Sequence, residues 1–303
     1  ESAELNESVK ALLAKWAATK GAVNAKTIDA ATSFDDHNAV IADLNKVLWE
    51  ASAVSGLWYD PEVASYHLIV ASLDYSPKLI ELVAQLRGMG NGVLVADTLN
   101  EKQHKFLTSN IANTKVYREN LLLQLVAASN ANSDLSVLVT GAKAQLVAVD
   151  ELASLVDQEI LSTRDLTLDP KSLWSKSTVI IDGLLEFNHS ATESLHTVMQ
   201  KRLNRLEKNR NITVAFLLLL IVVSGYLGVI IARSLKFALA SAQQATTDIV
   251  KGNYAIKLNT DRKDEFGELN KAMLNMSAQL ADAAKMQVEN SRIRSALDSS
   301  SSN

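Results

Sequence analysis

The sequence has no cysteine, only three prolines and 11 glycines, and 5% aromatic residues. The absence of cysteine excludes disulfides, zinc–thiolate sites and a thiol nucleophile. Apolar residues nevertheless make up 48% of the chain, and most of them are alanine, leucine and valine. Such a composition favours long helices over sheets. We therefore predict an all-α protein, whose 303 residues are enough for two or three domains.

A large excess of one charge and the common catalytic motifs are also missing. The formal net charge is −4, which argues against a nucleic-acid partner. No Gly-x-Ser-x-Gly, P-loop or His-Glu-x-x-His motif occurs in the sequence. His189 and His196 share a helical face but lie seven residues apart, whereas metal-binding pairs on a helix normally lie three or four apart. We expect no enzymatic activity, no cofactor and no metal site.

One long hydrophobic run is present, from Asn211 to Ala232, and it contains no charged residue. A helix of this length covers about 30 Å, the thickness of a bilayer's hydrocarbon core. We predict a transmembrane helix at 211–232. Five basic residues lie within 201–210, which alone would place the N-terminal side in the cytoplasm. The chain begins at Glu1 without an apolar segment, and we expect a first span upstream that sets the orientation instead.

Prolines and polar turn residues divide the first 210 residues into helices. Asp-Pro pairs at 60–61 and 169–170 are typical helix starts, and Pro77 indicates a break or kink. The glycine-rich stretch 88–92 predicts a helix end followed by the most flexible loop of the chain. The predicted helices are Leu5–Leu57 with an interruption near Thr27–Asp36, Pro61–Arg87, Asp97–Ala128, Ser133–Ser162, and one that runs from Pro170 into the membrane. Together they predict an elongated antiparallel helical bundle over residues 1–210.

A ligand site in such a bundle needs polar groups that face inward. A small anion favours an arginine, whose fork binds carboxylate-like groups through two hydrogen bonds. Arg87, Arg118 and Arg164 are the candidates, although a solvated arginine is the simpler interpretation of each. Four aromatic residues near the first hairpin either line an apolar pocket or pack the end of the bundle: Trp49, Trp58, Tyr59 and Tyr66. Of these, Trp58 and Tyr66 are the candidate ligand contacts.

Two short amphipathic helices follow the membrane segment. The first covers 233–250, with Leu235, Leu239, Ala242, Thr246 and Ile249 at the 4-3-4-3 spacing of a heptad seam. The second covers 264–284, with apolar positions at Phe266, Leu269, Met273, Met276 and Leu280. Two short heptad helices cannot bury their seams alone, but two chains can bury them in a parallel four-helix coiled coil. We predict a homodimer.

The connector between these helices resembles that of a HAMP domain. The resemblance covers 233–284 and lies in Gly252-Asn-Tyr-Ala-Ile-Lys-Leu258 and in Asp264-Glu-Phe-Gly-Glu-Leu269. It implies that Tyr254 and Leu258 are inward apolar contacts of the connector. It also implies that Asp264, Glu265 and Gly267 open the second helix, with Leu269 and Met273 in its packing seam. The proline usual early in the first HAMP helix is absent, and Ala238 stands about where it should be.

The order of helical bundle, membrane helix and HAMP-like segment is similar to the sensor half of a methyl-accepting chemotaxis receptor. The resemblance implies a bacterial inner (plasma) membrane protein with 1–210 periplasmic and 233–303 cytoplasmic. The basic residues at 201–210 would then contact lipid headgroups. Residues 285–303 would be a linker towards a further output region, and 290–298 is similar to the lead-in to a PAS domain.

These resemblances predict transmembrane signal transduction. The bundle would sense a small extracytoplasmic ligand or a binding protein, and the membrane helix and HAMP-like segment would relay the signal to a chemotaxis output domain. Two alternatives stay open. In the first alternative, the chain is the input half of a sensor histidine kinase. In the second, it is a membrane anchor whose outer bundle docks another protein.

Overall fold

The computed structural model describes residues 2–300, and the side chains of residues 3–297, all in helices and their connections. The all-α prediction is confirmed, and no strand occurs among the described residues. The helices are α1 Ser2–Asn24, α2 Ala30–Val54, α3 Val63–Val70, α4 Ser76–Ala96, α5 Glu101–Ala131, α6 Ser136–Val156, α7 Pro170–Val250 and α8 Glu265–Ser300. Short 3₁₀ turns occupy Leu57–Tyr59 and Ser133–Leu135, and π-helical turns occupy Ala71–Tyr75 and Asp157–Leu161.

The chain forms two compact units, Glu1–Leu206 and Glu207–Asn303. The predicted domains at 1–210 and 285–303 include residues 1 and 301–303, which lie outside the described residues. Helix α7 contributes its first part to unit 1 and the remainder to unit 2.

The core of unit 1 is built by four helical segments. α3 and α4 together, α5, α6 and the first part of α7 each contribute fully buried leucine, valine or isoleucine side chains to one cluster. Polar residues fix where the segments begin: Asn100 and Gln103 form a reciprocal capping box on α5, and Asp169 accepts hydrogen bonds from the first backbone amides of α7. The predicted helix start at Asp169-Pro170 is thereby confirmed.

Helices α1 and α2 form a hairpin beside this bundle. The Lys15 ammonium lies 2.7 Å from the Asp43 carboxylate, and the rings of Trp16 and His37 meet edge to face. Phe34 of α2 meets Phe106 of α5 with ring centroids 5.8 Å apart. The hairpin therefore contacts the bundle through α2.

Pro77 lies inside one long helical segment and does not end it. Proline lacks an amide hydrogen, and its ring clashes with the carbonyl four residues earlier. The π-helical turn Ala71–Tyr75 lies directly before it, and the Ser76 amide donates to the Ala71 carbonyl five residues back. The wider turn gives the ring space, so α3 and α4 continue one another.

The prediction of a loop at 88–92 is wrong, because α4 continues through these residues to Ala96. Two of the glycines instead allow neighbouring helices to pack closely against α4. A Cβ on Gly88 would lie 2.8 Å from the Phe34 ring, and one on Gly90 would lie 3.0 Å from Leu173 Cδ2. Both glycines let neighbouring helices approach α4, whereas Gly92 faces open space.

The hydrophobic run 211–232 lies within α7, and all of its side chains are exposed. The segment Val63–Ala96 is also long and apolar enough to cross a membrane, but a third of its most apolar window is buried inside unit 1. Of these two candidates among the described residues, only the α7 run has no protein partner for its apolar side chains.

Unit 2 contains the end of α7, the connector 251–264 and α8. Ala242 and Ala245 of α7 pack with Met273 of α8, and two connector residues, Ile256 and Leu258, cover this small cluster. Leu235 and Leu239 of the predicted heptad remain exposed. The described core of unit 2 is thus far smaller than that of unit 1.

Gly88, which packs against Phe34, and Gly92, which faces open space, should respond differently when replaced by alanine. We expect Gly92→Ala to raise the free energy of unfolding by about 0.5–1 kcal/mol, because alanine loses less backbone entropy in a helix. We expect Gly88→Ala to lower it, since the Phe34 ring must move and overpacking typically costs about 1–3 kcal/mol. Thermal unfolding of both variants in detergent, followed by circular dichroism, measures the two effects. A loss of stability in Gly92→Ala would contradict a helix at this position.

Candidate functional site

Arg87 of α4 is partly buried in unit 1, where it contacts α7. Its guanidinium stacks on the Trp174 ring, with the central carbon 4.4 Å from the ring centroid, and its Nη1 donates to the Thr178 hydroxyl at 2.9 Å. Trp174 and Thr178 lie four residues apart and therefore share one face of α7. Ring and hydroxyl hold the guanidinium plane in one orientation, and a fixed plane is required for recognition of a planar anion.

One edge of this guanidinium is unused. The Arg87 Nε–H is buried and has no hydrogen-bond partner in the described part of the chain. One turn along α4, the buried Asn91 Oδ1 also lacks a partner there. A side-chain amide can be rotated to present its NH₂ group in place of its oxygen. Arg87 and Asn91 each have a polar group without a described partner, and their four-residue spacing places them on one face of α4.

The positive charge of Arg87 has no described carboxylate close to it. Burial lowers the pKa of the Arg87 guanidinium from its ordinary value, and the carboxylate of Asp182 acts in the opposite direction. An arginine remains protonated in proteins even when its pKa falls. No carboxylate lies within ion-pair distance of Arg87 among the described residues. A partly buried cation without a close ion-pair partner loses part of its hydration, and a bound anion would offset that loss.

Arg118 of α5 lies in a different setting. It lines a groove of about 390 Å³ between α5 and α6, and its Nη2 is 3.0 Å from the Asp150 carboxylate. Lys115, Glu119 and Asp157 also line the groove, which thus has three acids and two basic residues. Because a carboxylate already pairs with Arg118 and two more acids line the groove, this site is less suited to an anion than the Arg87 site.

The other predicted ligand residues lie elsewhere. Trp58 packs against the core cluster and donates from Nε1 to the Trp49 carbonyl at 3.1 Å. Tyr66 meets the His67 ring and is 40% exposed. Arg164 is exposed in the connection between α6 and α7. The structure describes no contact that joins Arg87, Arg118, Trp58 and Tyr66 into one site.

The predicted residues of unit 2 lie in the connector and at the start of α8. Gly252 has φ +82° and ends α7 with paired backbone bonds, from its own amide to Ile249 and from the Asn253 amide to Asp248. The Tyr254 carbonyl accepts a 2.8 Å bond from Ser277, and its side chain lies against α8 near Ala281. Leu258 packs in the small cluster together with Ile256, which the sequence interpretation had not selected.

At the start of α8, the Asp264 carboxylate accepts from the Gly267 amide at 3.1 Å and pairs with Arg262 at 2.6 Å. The hydrogen bond from Arg262 is the main cause that lowers the pKa of Asp264. A Cβ on Gly267 would lie 2.1 Å from the Arg262 carbonyl oxygen, so only glycine fits there. Glu265 is exposed in the first turn of α8.

The two predicted seam residues differ in exposure. Met273 is buried against α7, whereas Leu269 is 44% exposed. Asn270, which had not been selected, is buried and donates to the Asn259 carbonyl at 2.7 Å.

Three residues around Arg87 were missed by the sequence interpretation: Asn91, Trp174 and Thr178. A helical interpretation of 88–92 would have placed Asn91 one turn from Arg87. The four-residue spacing of Trp174 and Thr178 marks a common face, but sequence alone does not show that this face meets α4.

Comparison with known proteins identifies the first unit. No curated protein and no solved structure matches the chain significantly. Residues 1–196, more than half of the 303 residues, match the family described as nitrate and nitrite sensing. On this match, the chain belongs to NIT, the nitrate- and nitrite-sensing family.

Proposed function

We propose that this chain is a transmembrane sensor that binds nitrate or nitrite outside the cytoplasm at Arg87 and relays occupancy through α7. Membership of NIT makes residues 1–196 a sensory domain of the kind found in membrane signalling proteins. The observation that carries the proposal is that α7 supplies Trp174 and Thr178 to Arg87 and also contains the apolar run 211–232.

Nitrate and nitrite are small, planar and singly charged. The free edge of the Arg87 guanidinium matches two oxygens of such an ion, since arginine donates two parallel hydrogen bonds in one plane. Trp174 covers one face of the guanidinium and limits access of water. We therefore favour Arg87 over Arg118, whose charge is paired with Asp150.

The relay follows from the position of Thr178. An anion at the free edge of Arg87 draws the guanidinium towards itself and competes with the Thr178 hydroxyl for the same cation. A ligand shifts a conformational equilibrium only by its differential affinity for the two states. Thr178 and Trp174 are the α7 groups whose contacts change on binding, so the ligand acts directly on the helix that enters the membrane.

We further propose that unit 2 is a HAMP domain and acts as a homodimer. Ala238, Ala242, Ala245 and Ile249 form the buried face of the α7 end. Leu235 and Leu239 lie outside this face and are 52% and 63% exposed. Burial of these leucines against a second copy in a parallel four-helix arrangement would complete the core.

The proposed output is a chemotaxis domain beyond this chain, in the bacterial inner membrane with unit 2 in the cytoplasm. The chain itself would have no enzymatic activity. A histidine-kinase output would use the same input and the same relay, and only the sequence that follows residue 303 separates the two. An anchor that docks a protein partner is the third possibility, and it predicts no response to small anions.

The ligand proposal predicts the effect of two matched substitutions. We expect sodium nitrate or nitrite to raise the melting temperature of the detergent-solubilised chain above that in equimolar sodium chloride, because a ligand that binds the native state stabilises it. We expect Arg87→Met to weaken binding by roughly 10- to 150-fold in isothermal titration calorimetry, the equivalent of about 1.5–3 kcal/mol for a charged hydrogen bond.

Arg118→Met is the matched control, because it removes an interhelical arginine of the same unit and should leave nitrate affinity within about threefold, as expected for residues without shared partners. Loss of binding in Arg118→Met but not in Arg87→Met would move the site to the groove between α5 and α6. If neither anion bound the unsubstituted chain, the small-ligand proposal would fail and a protein partner would be favoured.

The dimer proposal predicts a cross-linking pattern. Because the chain has no cysteine, a single cysteine at Leu239 reports on one position only. We expect Leu239→Cys to form a disulfide between two chains in membranes. We expect Gln244→Cys, about 140° further round the helix, to react with maleimide but to cross-link much less. Equal cross-linking at the two positions would contradict a specific parallel seam.

A further inference from the structure

Five buried polar side-chain atoms lack a hydrogen-bond partner in the described part of the chain, and four of them belong to α4 or α7. These four are the Ser76 hydroxyl, Arg87 Nε, Asn91 Oδ1 and Asn188 Oδ1, whereas the fifth is Arg118 Nε of α5. A buried polar group without a partner lowers stability, so each one requires a physical reason. Ser76 and Asn188 lie outside the Arg87 site, and the proposed ligand alone does not account for them.

Ser76 differs from two other serines of unit 1 that are also 0% exposed. The hydroxyls of Ser72 and Ser177 each donate to the backbone carbonyl four residues earlier, as serine inside a helix often does. Ser76 follows the π-helical turn Ala71–Tyr75, and its own amide donates to the carbonyl five residues back. The wider turn displaces the carbonyl that a serine hydroxyl uses in a regular helix. The hydroxyl of Ser76 therefore remains available to a neighbouring helix.

Ser76 lies on the face of α4 that meets α7. Arg87 contacts α7 on this face, and a Cβ added to Gly90 would lie 3.0 Å from Leu173 Cδ2 of α7. Eleven residues separate Ser76 from Arg87, which at 3.6 residues per turn places them within about 20° of each other round the helix. Gly90 lies about 60° from Arg87 on the same side. Ser76 therefore falls between two residues that touch α7.

Asn188 lies on the face of α7 that meets α4. Leu173 and Trp174 both contact α4, and Asn188 falls between them round the helix, about 60° from Leu173. The side of α7 that meets α6 is different. A Cβ added to Gly183 would clash with the Gln145 side chain of α6, and Gly183 lies about 140° from Asn188. The Asn188 side chain is therefore directed to the interface with α4.

The segment formed by α3 and α4 runs antiparallel to the first part of α7. Arg87, late in this segment, contacts Trp174 and Thr178 near the start of α7. Asp60, just before α3, pairs at 2.9 Å with Arg202, near the end of the α7 part that belongs to unit 1. These two contacts fix the register between the two segments.

This register brings Ser76 and Asn188 to the same height. Both helices rise about 1.5 Å per residue, so eleven residues back along α4 correspond to eleven residues forward along α7. Eleven residues before Arg87 is Ser76, and an equal step forward from the two α7 contacts of Arg87 leads to 185–189. Asn188 lies in this range. The two groups thus face each other between α4 and α7, although no hydrogen bond joins them in this structure.

The chemistry of the two groups is complementary. A serine hydroxyl can donate or accept a hydrogen bond, so it can pair with either the oxygen or the NH₂ group of the Asn188 amide. A small rotation or translation of α7 on α4 is enough to close such a bond, and helix shifts of this size are common in signalling transitions. The same movement changes the bond between Arg87 and Thr178, because the same two helices carry both contacts.

We propose that Ser76 and Asn188 form a hydrogen bond in a second arrangement of α7 on α4, which the bound anion favours. In the arrangement described above, Arg87 donates to Thr178 at 2.9 Å and the Ser76 hydroxyl has no partner. In the second arrangement, the anion replaces Thr178 at Arg87, and the Ser76–Asn188 bond is closed. The inference rests on the proposed binding of nitrate or nitrite at Arg87. The new bond would offset the lost Thr178 contact and keep the two arrangements close in free energy.

The test compares Ser76→Ala with Ser72→Ala in the full, detergent-solubilised chain. Both changes remove one buried hydroxyl from the same helical segment, but only the Ser72 hydroxyl has a partner in the resting arrangement. We expect Ser76→Ala to melt at a higher temperature than Ser72→Ala without anion, because it loses no hydrogen bond. In isothermal titration calorimetry with sodium nitrate, we expect Ser76→Ala to weaken binding roughly 3- to 12-fold, as for loss of a neutral hydrogen bond. Ser72→Ala should stay within about twofold of the unsubstituted chain, because its bond is the same in both arrangements.

Two outcomes of this comparison would overturn the inference. If Ser76→Ala melted at or below the temperature of Ser72→Ala, the Ser76 hydroxyl would already have a partner at rest, such as a buried water. If Ser76→Ala bound nitrate as tightly as the unsubstituted chain, the hydroxyl would make no bond specific to the bound arrangement. If the unsubstituted chain itself bound neither anion, the proposed function would fail, and that outcome is distinct because it appears before any substitution.

A double-mutant cycle identifies Asn188 as the partner. Asn188→Leu, of similar size, should weaken nitrate binding about as much as Ser76→Ala. The double variant should bind no more weakly than either single variant, because all three lose the same bond. Effects that add in the double variant would show that the two side chains act independently and would overturn the pairing. If Asn188→Leu did not fold, as judged by circular dichroism, Asn188→Ala would take its place in the cycle.

Discussion

The organisation of this protein depends on a single helix, α7, that has to satisfy two different surroundings. Up to Leu195 it buries one stripe, including Leu173, Leu184 and Ala191, in the core of unit 1, and most of its charged and polar residues lie on the other faces. From 211 to 232 it is exposed on all sides and carries no charged residue, as the proposed membrane crossing requires. If this segment crosses the membrane as proposed, an axial shift by a full turn would take leucines out of the core or polar residues into lipid. Only small displacements or rotations of α7 are therefore compatible with both surroundings, and a signal carried by this helix has to be of that size.

Arg87 and Arg118 differ in whether a carboxylate lies close to the guanidinium. Both have a buried Nε–H without a described partner, but Arg118 lies 3.0 Å from Asp150. For Arg87, stacking on Trp174 and one hydroxyl contact replace an ion pair. Because Arg87 is only partly buried, leaving its charge without an ion pair costs less than it would in the interior. In the bound state a small anion would supply the missing counter-charge, so ligand binding and stability of the α4–α7 contact would increase together.

The sequence predicted the helical class, the long helix from Pro170 and the hydrophobic run, because composition and the spacing of breakers are local signals. It misplaced the glycines at 88–92, since their role depends on Phe34 and Leu173, which lie far away in sequence. Arg87 was selected for its chemistry, but Trp174 and Thr178 become its neighbours only after α4 and α7 pack. The four aromatic residues of the first hairpin were predicted either to line an apolar pocket or to pack the bundle's end. Trp58 packs on the core, whereas Trp49 and Tyr59 are exposed, and the outward direction of Tyr59 depends on the left-handed backbone at Gly56.

The size of the proposed ligand limits how the relay can work. A four-atom or three-atom anion gains at most about 1.5 kcal/mol per non-hydrogen atom on binding. Only the part of this energy that differs between two conformations can shift their equilibrium, and about 5.5 kcal/mol is needed to move it from 1:99 to 99:1. The resting and signalling arrangements of α7 must therefore lie close in free energy. The small described core of unit 2, formed by two alanines and Met273, is consistent with such a balance, because few buried contacts have to change when it repacks.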